Sequence, residues 1–125
     1  MYNNTSKEVS FTAGFTVTGD CTANDFISSS DRRLKDEIKT IEGGLSKVSN
    51  LRGVTYTNTR TNKSCIGVIA QEVEEVIPDV VHEGEDGMKA VAYGNIVGVL
   101  IEAIKELKER VEYLESTRRT CEHCE

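Results

Sequence analysis

The sequence predicts an α+β fold: a small mixed domain of short β-hairpins that ends in a long helix and follows a strand-rich segment. Two patterns carry this prediction. Short β-branched runs, bounded by turn residues, alternate with stretches in which apolar residues recur every three or four positions. Near the carboxyl end this spacing becomes a regular heptad pattern, which is typical of one long helix. A chain of 125 residues can bury one modest core, so we expect one full domain.

The amino-terminal segment has the pattern of β-structure. Residues 9–17 alternate apolar and polar side chains, the period of a half-buried strand. A turn at residues 18–20 separates them from a second short strand candidate at residues 21–27. Two short strands are not stable alone in water. We therefore expect residues 1–29 to be the end of a β-structured shaft, or an arm that pairs with copies of itself.

Helical spacing begins after Ser30. The apolar positions of this stretch are Leu34, Ile38, Ile41, Leu45, Val48 and Leu51. They predict a helix that is interrupted at Gly43 and Gly44. Asp31 is a good N-cap candidate for it, because its side chain can accept hydrogen bonds from the free amides of the first turn.

Two hairpins and a short helix are predicted in the middle of the chain. Residues 53–59 and 64–70 are β-branched runs joined by a polar linker, which indicates the first hairpin. Residues 71–77 predict a helix with its valines and isoleucine inward, stopped by Pro78. The residues on either side of the acidic loop "GEDG" predict the second hairpin.

The last segment carries a heptad seam from about Asn95 to Ser116. Its positions are Val97, Leu100, Ile104, Leu107, Val111 and Leu114. So narrow a stripe favours a partner helix over the alternative, an amphipathic helix packed on its own domain. β-branched residues at the first seam position, with leucine at the second, favour two strands in a parallel coiled coil.

Composition excludes several classes of function. A net charge of -6 argues against a duplex-DNA or anionic-membrane partner, because clustered lysine and arginine drive such binding. No apolar run is long enough for a membrane span, and we expect no signal peptide. Four cysteines are too few for a disulfide scaffold, so a reducing compartment is expected.

Three motifs in order carry a family resemblance. They read "SSSDRRLKDEI", "GVIAQEVEEVIPDVV" and "DGMKAVAYGNIVGVLIEAIKELKERVEYLE". Together, from about residue 28 to residue 115, the chain resembles the C-terminal intramolecular chaperone domain of bacteriophage tailspikes and tail fibres. That domain is known from endosialidases and phage neck appendages and is related to a segment of myelin regulatory factor.

The resemblance implies a homotrimer that aligns and helps fold an upstream fibre or tailspike chain, and then cuts itself off. The chaperone domain would span residues 30–125, with its coiled-coil helix at about 95–116 and a frayed tail at 117–125. It would work in the host cytoplasm during virion assembly, while the parent fibre belongs to the virion tail. The implied trimer conflicts with the two-strand preference of the seam. The sequence therefore leaves open whether two or three chains form the coiled coil.

The resemblance also implies where the cut falls. The family cuts immediately before the serine of a Ser-Asp-x-Arg-x-Lys motif, which here consists of Ser30, Asp31, Arg33 and Lys35. The expected scissile bond is therefore Ser29–Ser30. The implied enzyme is a self-cleaving serine endopeptidase that acts once per chain without a cofactor.

The side-chain chemistry around the Ser29–Ser30 bond also supports Ser30 and Lys35 as the reacting residues. A serine hydroxyl is a poor nucleophile until a base takes its proton, and Lys35 could be that base if its amine were uncharged. Burial at an interface and the like charges of Arg32 and Arg33 would favour the uncharged amine. Residues five apart in a helix point about 140° apart, so Ser30 must precede the helix to meet Lys35. The Ser29 carbonyl would then lie near a helix N-terminus, whose free amides could stabilise an oxyanion.

Other readings of the chain remain open. The main alternative is a non-catalytic trimerisation module that stays attached to its fibre, with the serine as a cap and the lysine on the surface. A glycan-binding tip is poorly supported, because the chain has no tryptophan and few other aromatics. Whether Lys35 acts on its own chain or on a neighbour is not fixed by the sequence.

No metal site is predicted. Cys121, His123 and Cys124 could meet between chains around zinc or form interchain disulfides, but a structural zinc site needs four ligands. His82 is expected to be a surface residue. The loop at residues 84–87 lacks the ligand spacing of a calcium site.

Overall fold

The computed structural model describes residues 8–122, without the side chains of Cys121 and Glu122. Its contacts divide the chain into two units, one ending at Ile38 and the other beginning at Lys39. The second unit contains α-helices and two small antiparallel sheets, so the predicted α+β class is confirmed.

The first unit has little regular structure. Between residues 8 and 38, the one regular element described is a 3-10 turn at Arg32–Leu34. All side chains of these residues are exposed. A strand is defined by hydrogen bonds to a neighbouring strand, and within the described residues this single chain supplies none to residues 9–17. The shaft strand in this region stays a prediction.

The helix predicted from Asp31 to the glycine pair is wrong. The 3-10 turn ends at Lys35, whose backbone is extended with φ -127° and ψ 138°. Glu37 has a φ of 48°, the left-handed region, which a right-handed α-helix does not contain. Leu34 and Ile38, the first two apolar residues of this stretch, are both exposed and supply little packing for a helix. Without such packing a short helix is marginal in water.

The second unit is built from short elements followed by one long helix. Its helices are α1 (Gly44–Ser49), α2 (Ala70–Val76) and α3 (Val97–Glu122). Its hairpins are β1 (Val54–Thr57) with β2 (Ser64–Gly67), and β3 (Val81–Glu83) with β4 (Lys89–Val91). Both predicted hairpins and the helix before Pro78 are confirmed. The proline opens a 3-10 turn at Pro78–Val80, where its missing N–H removes no hydrogen bond.

A small core joins these elements. Its buried side chains are Val73, Ile77, Val80 and Val99. Half-buried residues from α1, β3 and β4 pack around this cluster. Helix α1 also lies very close to α3, because a Cβ added to Gly44 would be 2.7 Å from the backbone nitrogen of Ala103. The core therefore fixes the start of α3 to the body.

Helix α3 is longer than predicted. A 3-10 turn at Tyr93–Ile96 leads into it, and it continues past the predicted end at Ser116 to Glu122. Val99 and Ala103 are buried and attach it to the body. No helix among residues 8–122 has the length and apolar character that a membrane span requires.

Candidate active site

The candidate site lies in the first unit, where residues 30–35 form one tight turn. The amide of Leu34 donates to the Asp31 carbonyl at 3.0 Å, and the amide of Lys35 donates to the Arg32 carbonyl at 3.1 Å. Asp31 occupies the N-cap of this turn with an extended backbone, and its side chain accepts from the Arg33 amide. Ser30 therefore precedes the turn and Lys35 follows it.

The turn brings two of the predicted site residues together. The Lys35 Nζ donates a hydrogen bond to the Ser30 Oγ at 2.5 Å. Both side chains are exposed in the single chain. An amine and a hydroxyl at hydrogen-bond distance are what proton transfer from a serine nucleophile to a lysine base requires.

Asp31 and Arg33 form an ion pair over the same turn. The Arg33 Nε and Nη2 donate to the two Asp31 carboxylate oxygens, each at 3.0 Å, and the Arg33 backbone amide donates to Oδ1 at 2.8 Å. The Arg33 side chain, and then its amide, lower the pKa of Asp31 below the ordinary 3.8. The Asp31 carboxylate in turn raises the pKa of Arg33. The positive charge of Arg33 is thus paired with the Asp31 carboxylate within the turn.

The α-helix whose N-terminus was expected to offer amides to an oxyanion is absent from the described chain. A three-residue 3-10 turn replaces the helix, and the amides of Arg33, Leu34 and Lys35 already donate to oxygens within the turn. These amides are therefore not available to a charge developing on the Ser29 carbonyl.

The heptad seam lies on a surface of α3 that the body leaves uncovered. Its six side chains, Val97, Leu100, Ile104, Leu107, Val111 and Leu114, are between 42% and 66% exposed. Val99 and Ala103, which bind the body, lie on a neighbouring face. In the described chain α3 therefore packs on its own domain through Val99 and Ala103, while the seam residues do not take part in that packing.

Sequence reasoning missed Ile101. This residue follows a seam leucine, is 49% exposed, and widens the apolar stripe where α3 leaves the body. Its apolar side chain at the position beside the seam was the signal that could have found it.

The remaining candidates show no chemistry in the described part. Among residues with described side chains, no three histidine, cysteine or acidic side chains gather as metal ligands. The predictions for Cys121, His123 and Cys124 lie outside those residues. Cys21 and Cys65 are free thiols, and His82 is exposed on β3.

Part of the chain is similar to a known protein family. Residues 30–82 match a protein-family model described as chaperone of endosialidase, which is also named as a peptidase family. The match begins at Ser30, the residue that contacts Lys35.

Curated relatives are phage fibre proteins. The long tail fiber protein Gp37 of Enterobacteria phage K3 is 38% identical over 96 residues, which cover 70% of this chain and 8% of the relative. The protein of the same name from Enterobacteria phage T2 is 38% identical over 96 residues, covering 70% of this chain and 7% of the relative. The one from Enterobacteria phage M1 is 34% identical over 103 residues, covering 74% of this chain and 41% of the relative. The chain thus spans less than a tenth of the length of the K3 and T2 proteins. Over residues 30–82, the chain is thus similar to the chaperone-of-endosialidase family.

Proposed function

We propose that this chain is the assembly domain of a phage tail fibre, which trimerises, aligns the upstream shaft chains and then releases itself by cutting the Ser29–Ser30 bond. The observation that carries the proposal is the hydrogen bond from Lys35 Nζ to Ser30 Oγ. The family match that begins at Ser30 supports the position of the cut. The relatives named as long tail fiber proteins support a fibre as the upstream chain and the virion tail as its destination.

The proposed reaction needs no group beyond the chain and water. Lys35, when uncharged, takes the proton of the Ser30 hydroxyl, and the oxygen attacks the Ser29 carbonyl carbon. The carbon–nitrogen bond of the peptide breaks, and the Ser30 nitrogen receives the proton back from Lys35. Water then hydrolyses the ester that joins Ser29 to the Ser30 oxygen. The products are a carboxylate at Ser29 and a free amine and hydroxyl at Ser30.

Assembly supplies what the single chain lacks. In an isolated chain the Lys35 side chain is exposed to water. Packing three chains together would withdraw this amine from water and favour the uncharged base. It would also bring a neighbour's donors near the Ser29 carbonyl, in place of the turn amides that are already used. Cleavage would thus follow assembly rather than precede it, in the host cytoplasm where the virion is built.

The exposed seam supports association. Six large apolar side chains on one side of α3 lie in contact with water, and burying each side chain of this kind contributes about 1.5–3 kcal/mol. Pairing of shaft strands is slow because distant residues must meet before any contact stabilises them. A coiled coil that forms first would hold three shaft segments in register.

The test is the intact mass of the full chain after folding, alongside a denaturing gel. The parent is expected to appear as two products, residues 1–29 and residues 30–125. Ser30→Ala and Lys35→Ala are each expected to remain whole, because one lacks the nucleophile and the other the base.

Matched controls separate chemistry from general damage. Ser28→Ala and Lys39→Ala remove a neighbouring hydroxyl and a neighbouring amine, and both are expected to cleave like the parent. A parent that stays whole under folding conditions contradicts the protease and leaves the non-catalytic trimerisation module. The exposure of Ser30 and Lys35 in the single chain is the observation that favours that second candidate.

A further inference from the structure

We propose that Asp31 and Arg33 are positioning residues, whose ion pair locks the turn that holds Lys35 against Ser30. This inference rests on the proposed self-cleavage and adds to it a requirement for two residues that take no part in proton transfer. We call the three hydrogen bonds from Arg33 to the Asp31 carboxylate the Asp31 lock.

The contact between Ser30 and Lys35 depends on the turn. Five residues of extended chain span about 17 Å, so these side chains meet only if the backbone between them folds back. The fold-back is a single 3-10 turn with backbone hydrogen bonds from Leu34 and Lys35. One such turn is unfavourable on its own in water, because several dihedrals are fixed for very few bonds. Something besides the backbone must therefore hold it.

The Asp31 lock joins the residue before the turn to the middle of the turn. The guanidinium of Arg33 approaches the carboxylate as a two-pronged fork, with one nitrogen on each oxygen. Such paired, charge-assisted hydrogen bonds have a defined geometry as well as attraction. The amide of Arg33 adds a third bond to the same carboxylate. The amide bond depends on the N-cap geometry of Asp31, so it is lost if the turn opens.

The lock is expected to have a modest effect because it is accessible to water. The Arg33 and Asp31 side chains are 89% and 49% exposed, and exposed ion pairs contribute little. Removing the charge pair alone should therefore slow cleavage about two- to fivefold. Removing the carboxylate, and with it the cap on the Arg33 amide, should slow cleavage about tenfold.

The experiment measures the single-turnover cleavage rate of the full chain at fixed pH. Arg33→Ala and Asp31→Asn are expected to be equally slow, since asparagine keeps an oxygen for the Arg33 amide but loses the charge. Asp31→Ala should be slower than both. Arg33→Lys should recover part of the rate, as a single ammonium can pair with the carboxylate but cannot form the fork. Arg60→Ala, in the loop between β1 and β2, is the matched arginine control and should cleave like the parent.

Salt separates this lock from a general loss of structure. High ionic strength should slow the parent and leave Arg33→Ala unchanged, because exposed charge pairs are screened. Native mass of each variant, with Ser30→Ala added to block cleavage, should match that of the uncut parent. Variants that cleave at the parent rate would overturn the lock and leave the protease standing. A parent that never cleaves would overturn the protease first, and the lock with it.

Discussion

At the scale of single residues, the titration of Asp31 reports directly on the 3-10 turn that it caps. Its pKa is lowered from 3.8 mainly by the Arg33 side chain, so the folded turn favours the ionised carboxylate. The resulting stabilisation is present above the ordinary pKa and is lost as the pH falls through the lower folded value. Acid should therefore open the turn and separate Lys35 from Ser30.

We expect the carboxyl carbon of Asp31 to titrate below pH 3.8 by NMR in the Ser30→Ala chain, which cannot cleave. Adding Arg33→Ala should move that titration upward toward the ordinary value, because the largest cause of the shift is removed. If Asp31 had the same pKa in the chains with and without the Arg33 side chain, the ion pair of Asp31 and Arg33 would not exist in solution.

At the scale of elements, the packing of α1 against α3 depends on a glycine. A methyl group at Gly44 would lie 2.7 Å from the Ala103 nitrogen and 2.9 Å from the Glu102 carbonyl carbon. Both atoms are backbone and cannot move aside by changing a rotamer. Gly44→Ala is expected to lower the free energy of unfolding by about 1–3 kcal/mol, the usual cost of overpacking.

Urea unfolding followed by circular dichroism would measure this loss. Gly53→Ala is the matched control, because a Cβ there meets nothing within 4 Å. Equal stability of the two alanine variants would mean that α1 does not dock on α3 as described.

Local patterns predicted most of the second unit and failed in the first. The β1–β2 hairpin, the β3–β4 hairpin and α2 are short elements. In each of them the spacing of apolar residues and the turn residues indicate the same structure, so local sequence was enough to predict it. Leu34 and Ile38 have helical spacing too, but no surface in the described chain packs on them. Spacing cannot reveal whether a packing surface exists. Nor did it reveal the left-handed backbone at Glu37.

The candidate site was predictable in part. The sequence argument that Ser30 precedes a helix pointed to a contact with Lys35, although the structure has a 3-10 turn in place of that helix. The fork between Asp31 and Arg33 was not predictable, because residues two apart in a regular helix point to different sides. Only the tighter turn, with arginine folding back on its cap, brings them together.

At the scale of the whole molecule, the uncovered seam predicts an oligomer. The uncut Ser30→Ala chain should sediment as a trimer at equilibrium. Leu107→Asp should reduce it to a monomer, because three carboxylates would be buried next to each other in the coiled coil. A dimer of the parent chain would instead agree with the preference of β-branched and leucine seam residues for two strands.

Tyr113→Asp is the control for this experiment. Tyr113 is also an exposed apolar residue of α3, but it lies outside the seam, so its replacement should leave the trimer intact. If both aspartate variants sediment as the parent does, the seam is not the interface.

Helix α3 binds its own body through Val99 and Ala103 and offers the seam on a neighbouring face. In a coiled-coil bundle the bodies would therefore surround the bundle axis. The rotation of each body about that axis would be set by the angle between the two faces of α3, before the chains associate. One residue inserted after Ala103 would rotate each body by about 100° relative to the part of the coiled coil that follows the insertion. The rotational setting of each body about the bundle axis is thus contained in the sequence of α3 itself.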